Sequence, residues 1–597
     1  MRDFNEQNIE VSDSKIIGRL LTFIKPHKKR FIIAMILMLL SLGTELVIPS
    51  AMGYLLDILR KNEAPDVILK EVIFLTLLFA IFIAFTFVVV YLQSIFLQKI
   101  GLNIVVTLRD KVFQHIEKLA IGQINQIPVG KLVTRVTNDT NSISQMYTDV
   151  AINFIRNILY VIGIYIILWF SSPKMTLYLT ITLPFVFLSS ILFRNISRKS
   201  YRRVRSNVSE INAFLSENLS GMKVTQIFNQ EEKVNRIFEE RNRNLRKSHF
   251  REILVFGIYR PTIYMIAMAG AIIVLFTGID EVIAGVLTAG SLYSYYLYTQ
   301  NFFEPIQQMT EQFNTLQNAL ASSEKVFDVL DTVPEIVDSE DAIELESFSG
   351  RIEFKDVWFS YIPGEWVLKG VSFTVNPNET VAFVGATGSG KSTILSLVVR
   401  NYDIQKGQIL IDGIDIKNIK ISSLRKHIGQ MMQDVFLFSG TILDNITLKD
   451  DSITREEAIE AAKYVGADQF IESLPDSYDH VVLERGNNFS SGQRQLISFA
   501  RALTYKPSLM ILDEATANID SETESIIQES LNRIMNIQTM IIVAHRLSTI
   551  QHADKIILMQ QGEIKEMGTH QELLSKKSLY YYLYELQYEE KEKGEND

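Results

Sequence analysis

The chain has 597 residues, with 59 Lys and Arg against 68 Asp and Glu, so its formal charge of −9 excludes the basic surplus of a nucleic-acid binder. A content of 47% hydrophobic and 21% charged residues excludes a disordered chain and exceeds the apolarity of an ordinary cytosolic enzyme. Cysteine is absent, which excludes disulfides, thiolate metal sites and cysteine nucleophiles, and fits a catalytic part in a reducing cytosol.

Residues 1–30 read as a polar cytosolic segment ending in Lys25-Pro26-His27-Lys28-Lys29-Arg30. The apolar run behind them is too long for a signal-peptide core, so no cleaved leader is expected. Ile16–Ile24 has the pattern of a short amphipathic helix on the membrane surface. Six stretches within 31–305 then meet the requirement of roughly 20 mostly apolar residues for a spanning helix. They are Phe31–Met52, Val72–Leu97, Ala151–Phe170, Met175–Phe193, Ile253–Thr277 and Val282–Phe303. Loop charges orient them. Lys99, Arg109, Lys111, Lys118, Lys131 and Arg135 follow the second span, and a series from Arg194 to Arg251 follows the fourth. The opposite side carries only Arg60, Lys61, Lys70 and Lys174. The N-terminus, both long loops and the C-terminal half are therefore expected in the cytosol, in a multi-pass protein of the cell membrane. Thr107–Leu119 and Ser206–Asn244 keep apolar residues at three- and four-residue spacing, so the bundle helices should run well beyond the bilayer.

Residues 306–349 form a linker, helical to about Leu330 and extended through Thr332-Val333-Pro334. From 350 to 587 short β-branched runs alternate with Gly turns and amphipathic helices, the texture of an α/β domain. A charged tail occupies 588–597. The strand-like run Thr380–Val384 leads into Gly385-Ala386-Thr387-Gly388-Ser389-Gly390-Lys391-Ser392-Thr393, a GxxxxGK[ST] loop between a strand and a helix. Its glycines let backbone N–H groups curl around phosphate, Lys391 can reach the terminal phosphates, and Ser392 can offer an oxygen to Mg²⁺. A second run, Leu509–Leu512, ends in Asp513-Glu514, where open α/β sheets bind ligands. Asp513 would serve the Mg²⁺ shell and Glu514 would polarise an attacking water. A third, Phe489-Ser490-Ser491-Gly492-Gln493-Arg494-Gln495, opens a helix and makes a second anion-binding N-terminus. Two such devices in one domain suggest two copies facing each other, each closing the other's nucleotide.

In this order the motifs resemble those of ATP-binding cassettes, and six spans ahead of one cassette resemble an exporter half-transporter. The fold so implied is an all-α six-helix transmembrane domain with long cytosolic extensions, followed by an α/β P-loop NTPase cassette. The resemblance implies ATP and Mg²⁺ as cofactors and further roles by position. Tyr361 matches the aromatic that stacks on adenine. Gln433 resembles the Q-loop glutamine that touches Mg²⁺ and the attacking water. Ser490, Ser491, Gly492 and Gln493 form the signature turn that caps the partner's ATP. Asp520 is similar to the D-loop aspartate, His545 to the switch histidine on the γ-phosphate, and Glu484-Arg485-Gly486 to the exporter X-loop. Two coupling helices are implied near Gly122–Val129 and Gly221–Asn229, the second docking on the partner's cassette.

The signature departs from the family pattern. Ser491 stands where LSGGQ has its first glycine, and Asn518-Ile519-Asp520 replaces the commoner SALD. With Glu514 intact, the combination resembles the catalytic-glutamate subunit of heterodimeric bacterial multidrug exporters, whose partner lacks that glutamate. A homodimeric lipid flippase and a non-transporting regulator are the alternatives. Within the spans, Glu45, Glu304 and the tyrosines Tyr293, Tyr295, Tyr296 and Tyr298 stand out. No polar constellation selects a sugar, amino acid or metal, so an amphipathic drug or lipid is the expected cargo.

Overall fold

The computed structural model describes residues 13–61, 64–513, 521–535, 538–543 and 550–594. They fall into two units, one made of 7–117 with 128–332, the other of 118–127 with 333 onward.

The first unit is helical. By length and composition, five helices among the described residues can cross a membrane: Ser14–Leu59, Pro65–Lys118, Val129–Ser171, Pro173–Ser220 and Glu231–Ile283. Pro65–Lys118 has 54 residues; at 1.5 Å each it is roughly 80 Å long, far more than the ~30 Å of hydrocarbon. The stretch Val282–Phe303 is not one helix. The helix from Glu231 ends at Ile283 and the next, Ala289–Asp331, begins after a turn at Gly285, whose φ is +73°. Beyond that break Gln300, Asn301 and Glu304 dilute the apolar character, so Ala289–Asp331 is not among the five. The fourth stretch is interrupted at Ile181–Thr182, because Pro184 opens the following helix and has no N–H for the preceding turn.

The amphipathic segment near the N-terminus is the helix Asp13–Ile24. It does more than lie on a surface: Ile16 and Leu20 are buried among Ile104, Leu108, Val326 and Phe327, and Arg19 pairs bidentately with Asp331. The helices Lys28–Leu59 and Ala289–Asp331 approach backbone to backbone at Gly53 and Gly290, where an added Cβ would lie 2.2 Å or less from the facing carbonyl. Asp57 seals that end by accepting from Gly290 N at 2.7 Å and from Thr288 Oγ1 at 2.6 Å. Arg135–Asp139 is a π-helical turn. Its Asp139 is buried between Arg135, at 2.8 Å, and Ser322 Oγ, at 2.8 Å.

The second unit is built on two sheets. β1 (Ile352–Phe359), β2 (Leu368–Val375), β4 (Lys406–Ile411) and β5 (Ile414–Asp415) form an antiparallel sheet in the order β2-β1-β4-β5. β3 (Thr380–Val384), β6 (Ile428–Met431), β9 (Leu509–Asp513), β10 (Thr539–Val543), β11 (Lys555–Gln560) and β12 (Glu563–Gly568) form the other, ordered β12-β11-β3-β10-β9-β6. A ribbon of β7 (Gly440–Thr441) and β8 (Val481–Val482) lies apart. The period-2 alternation of a strand divides the core. Val381 and Phe383 of β3 face the antiparallel sheet and the helix Lys391–Val398. Ala382 and Val384 face the other layer, with Leu496, Ile497 and Phe499 of the helix Ser491–Thr504. β3, β9 and β10 are buried almost throughout, as parallel strands covered on both faces must be.

Candidate functional site

The parallel register brings the motifs to one edge. Phe383 of β3 pairs with Val543 of β10, Val543 with Asp513 of β9, and Leu512 with Met431 of β6. The loop after β3, Asp513 and the segment carrying Gln433 therefore leave the sheet side by side at its carboxyl end, where α/β sheets bind ligands.

Gly385, Gly388 and Gly390 have φ of +144°, +82° and +104°, a conformation open to glycine and strained for other residues. A Cβ on Gly385 would lie 2.2 Å from the carbonyl of Met559. Thr387 and Gly388 are exposed at the loop's crest, while Ser389 is buried and its Oγ has no partner among the described residues. Such an orphan hydroxyl inside a glycine cradle suits a phosphate oxygen. Lys391 is 6% exposed and donates to the carbonyls of Gly385 at 2.7 Å and Ala386 at 3.1 Å. Burial holds its ammonium below the usual lysine range, and the Asp513 carboxylate opposes that shift. A cation so poorly solvated gains from an arriving anion. Ser392 is exposed in the first turn of the helix, and Thr393 behind it is buried. Ser392, Asp513 and the exposed Gln433 offer oxygen donors only, which fits a hard cation such as Mg²⁺. Glu514, Asp520 and His545 lie outside the described residues.

Tyr361 follows β1 and is 47% exposed; its hydroxyl lies 3.1 Å from Thr393 Oγ1. Burial of part of the ring pushes its phenol up, opposed by that hydrogen bond. The ring stands edge-on to Tyr402 with centroids 5.1 Å apart. In the signature turn Ser490 is the N-cap. Gln493 N donates to Ser490 Oγ at 3.2 Å, and Ser490 N donates to Gln493 Oε1 at 3.0 Å, a capping box. Ser491 is the first helical residue, Gly492 is buried, and neither has a positive φ. Ser491 therefore carries no backbone strain; its side chain can matter only for what the turn touches. In Glu484-Arg485-Gly486, Arg485 and Gly486 both have positive φ, and the glutamate and arginine are exposed.

The first implied coupling helix is Ile121–Asn125 and the second Met222–Ile227. The first holds a residue with no sequence signal. Gln123 is buried, its Oε1 accepts from Ala120 N and Glu335 N, both at 3.1 Å, and its Nε2 donates to Val333 O at 2.9 Å. Only the fold reveals this, since two of its three partners lie more than 200 positions away.

In the helical unit a cavity of about 310 Å³ is lined by Ser50, Tyr54, Asp57, Ser294, Tyr295 and Tyr298, among others. Tyr295 and Tyr298 are buried and hydrogen-bonded to Thr176 Oγ1 and Ser50 Oγ, whereas Tyr293 and Tyr296 stack on each other. Glu45 pairs with Arg156 of the next-but-one span. Glu304 is exposed and accepts from Gln308 at 3.2 Å, and Gln308 accepts from Asn157 at 3.3 Å.

Comparison with known proteins bears on this geometry. The family model described as ABC transporter transmembrane region matches residues 31–306, and the one described as ABC transporter matches 368–517. The uncharacterized ABC transporter ATP-binding protein YknV of Bacillus subtilis is 36% identical over 572 residues, covering 96% of this chain and 94% of its own. The probable multidrug resistance ABC transporter ATP-binding/permease protein YheH of the same organism is 39% identical over 528 residues, 87% of this chain and 77% of its own. The ATP-dependent lipid A-core flippase of Syntrophus aciditrophicus is 33% identical over 584 residues, 97% and 96% of the two chains. Among solved structures, a bacterial Atm1-family ABC exporter with ATP bound superposes with a TM-score of 0.79 at 26% identity, over 94% of this chain and 98% of that one.

Proposed function

The chain belongs to the ABC transporter family, with the transmembrane region and the ATP-binding cassette in one polypeptide, and we propose that it is one half of an exporter carrying amphipathic drugs or lipids outward across the cytoplasmic membrane. It is a multi-pass membrane protein that binds ATP and couples ATP hydrolysis to transport. The observation that carries the export reading is the meeting of the P-loop, Asp513 and the Gln433 segment at one sheet edge, in a chain with five helices fit to cross a membrane among the described residues. In this reading Ala289–Asp331 supplies the sixth span, with Tyr295 and Tyr298 turned to the bundle and its cavity.

Tyr361 stacks on adenine. The backbone of Gly385–Ser389 cradles the phosphates, and Lys391 exchanges its two loop carbonyls for phosphate oxygens. Ser392, Asp513 and Gln433 would hold Mg²⁺, which when bound would supply positive charge against the phosphoryl oxygens. Glu514 polarises the attacking water, His545 contacts the γ-phosphate, and Asp520 lines the junction with the second subunit. Ser490, Ser491, Gly492 and Gln493 cap the nucleotide that subunit holds. ATP drives the cycle only if it binds the closed cassette pair more tightly than the open one.

Ser491 beside an intact Glu514 favours a heterodimer, in which the partner lacks its own catalytic glutamate. The similarity to a lipid A-core flippase supports a second reading, a homodimer that flips lipids. Vigorous ATPase and transport by this chain alone would refute the heterodimer. For export itself, inverted membrane vesicles should accumulate a fluorescent amphiphile with ATP, and Glu514→Gln should trap ATP and stop accumulation. Undiminished accumulation in that variant would refute the role given to Glu514.

A further inference from the structure

We propose that Tyr402 is a positioning residue that lets the first cytosolic loop sense whether adenine is seated on Tyr361; the inference rests on the reading of Tyr361 as the adenine platform. The ring of Tyr402 touches two other aromatic rings and the backbone of a glycine. Its centroid is 5.1 Å from Tyr361 at 85° and 5.6 Å from Phe359 at 59°. It also touches Gly122, buried in the short helix Ile121–Asn125. A Cβ built on Gly122 would lie 2.5 Å from Tyr402 Cε1 and 3.2 Å from Cδ1, so the helix backbone rests directly on the ring.

Both ends of this contact are held. Gln123 ties the same turn to Val333 and Glu335. Arg400, two residues before the ring, is 3% exposed, donates to Ile419 O and Val337 O, and pairs with Asp403 at 3.2 Å. Tyr361 is the free member: it is half-exposed and fastened through its hydroxyl to Thr393 of the P-loop helix. A base stacking on Tyr361 constrains that ring, the edge contact passes the constraint to Tyr402, and Tyr402 passes it to the Gly122 backbone that it touches. The signal therefore depends on the base and not on the γ-phosphate, so ADP carries it and inorganic tripolyphosphate does not.

The chain has no cysteine, so a single Gln126→Cys can carry a nitroxide at the exposed end of that turn in the full-length protein. Saturating ADP should change the nitroxide spectrum and tripolyphosphate should not. In Tyr402→Ala the change should fall at least fivefold while ADP affinity stays within about threefold of the parent, and Tyr402→Phe should restore it. Gly122→Ala, which presses a methyl on the ring, should weaken ADP binding about threefold or more with Tyr402 present and not in the Tyr402→Ala background, a non-additivity that misfolding would not produce. A full spectral response in Tyr402→Ala, no response to ADP in the parent, or strictly additive effects would overturn the proposal. Loss of ADP binding in Tyr402→Ala as large as in Tyr361→Ala would also overturn it, by making Tyr402 part of the binding site. Tyr361→Ala tests the underlying reading: it should weaken ADP at least about fivefold, the low end for loss of one aromatic–base stack. Unchanged affinity there sinks the platform, whereas weakened affinity with an intact Tyr402→Ala response sinks only the relay.

Discussion

Replacing Gln123 with alanine removes three hydrogen bonds at once from a side chain 6% exposed. Oε1 accepts from Ala120 N and Glu335 N at 3.1 Å each, and Nε2 donates to Val333 O at 2.9 Å. A buried hydrogen bond has a net value of about 1 kcal/mol, so the three together come to about 3 kcal/mol, unless water enters the vacated space. That loss should fall on the attachment of the first loop to the chain entering the cassette, because two of the three partners belong to Val333–Glu335. The two bonds that cross carry about 2 kcal/mol of this, so local opening there should become roughly thirtyfold easier, at 1.4 kcal/mol per decade. Hydrogen exchange read by mass spectrometry on peptides covering Ala120 and Glu335 measures it directly. Gln123→Glu is the discriminating control. Its carboxyl still accepts both N–H groups, but ionised it sets an oxygen against Val333 O in a buried site; protection should fall at neutral pH and recover toward the parent at acid pH, where the protonated carboxyl donates. A change below fivefold in Gln123→Ala, or equal damage in both variants at acid pH, would refute the account of Gln123 as the fastening.

Four other perturbations have definite outcomes. Gly385→Ala drives a methyl to 2.2 Å from Met559 O at a φ of +144°, and should weaken binding of a fluorescent ATP analogue at least about tenfold. Glu45→Gln leaves Arg156 without its charge partner and should lower the melting temperature in detergent by the equivalent of about 1–3 kcal/mol; Glu45→Leu with Arg156→Leu should be milder than the single change, since removing both charges strands neither. Burial holds the His570 imidazole below its ordinary pKa, beside Tyr580 OH at 2.8 Å. The unfolded chain therefore takes the proton first, and stability falls as pH drops from the unfolded value of about 6.5 to the lower folded one. The melting-temperature advantage of the parent over His570→Gln should shrink from pH 8 to pH 5 in roughly that window, and a constant difference would refute it. Ser491→Gly should cost at most about 1 kcal/mol of helix propensity, because Ser491 already has helical backbone; in a heterodimer it should tighten ATP at the site it caps without raising turnover, and a doubled ATPase rate would mean that both sites hydrolyse.

The P-loop was legible because its chemistry is local. Three of its nine residues need a positive φ, and all three are glycines, so the chain announces the conformation one residue at a time. The signature turn was legible for the same reason: a serine with a glutamine three positions on is a capping box whatever surrounds it. Ser491 shows the limit of such reading. A serine in place of glycine matters for conformation only where φ is positive, which a first-turn helical residue does not require, so whether glycine serves conformation or space is decided by the backbone.

The stretch Val282–Phe303 misled because an apolar run continues across the turn at Gly285, joining the end of one helix to the start of the next, which is more polar. An apolarity criterion asks whether a helix suits lipid, whereas Tyr295 and Tyr298 satisfy their hydroxyls inside the bundle, on Thr176 and on Ser50. A helix covered by its neighbours can be polar where a lipid-facing one cannot, and the 54-residue Pro65–Lys118, whose apolar window is only 6% buried, is the lipid-facing extreme. The same distinction explains Glu45 and Arg156: each looks like a misplaced charge until their pairing, 111 positions apart, joins them. Gln123 and Tyr402 left no trace because neither is unusual for its own neighbours. Their roles lie in contacts with segments some 200 to 280 positions away, and a glutamine or tyrosine at a loop end has many reasons to be there. Chemistry that one turn of backbone can build is readable from a single sequence, whereas contacts that join a loop to a cassette across hundreds of positions are assembled only by the fold.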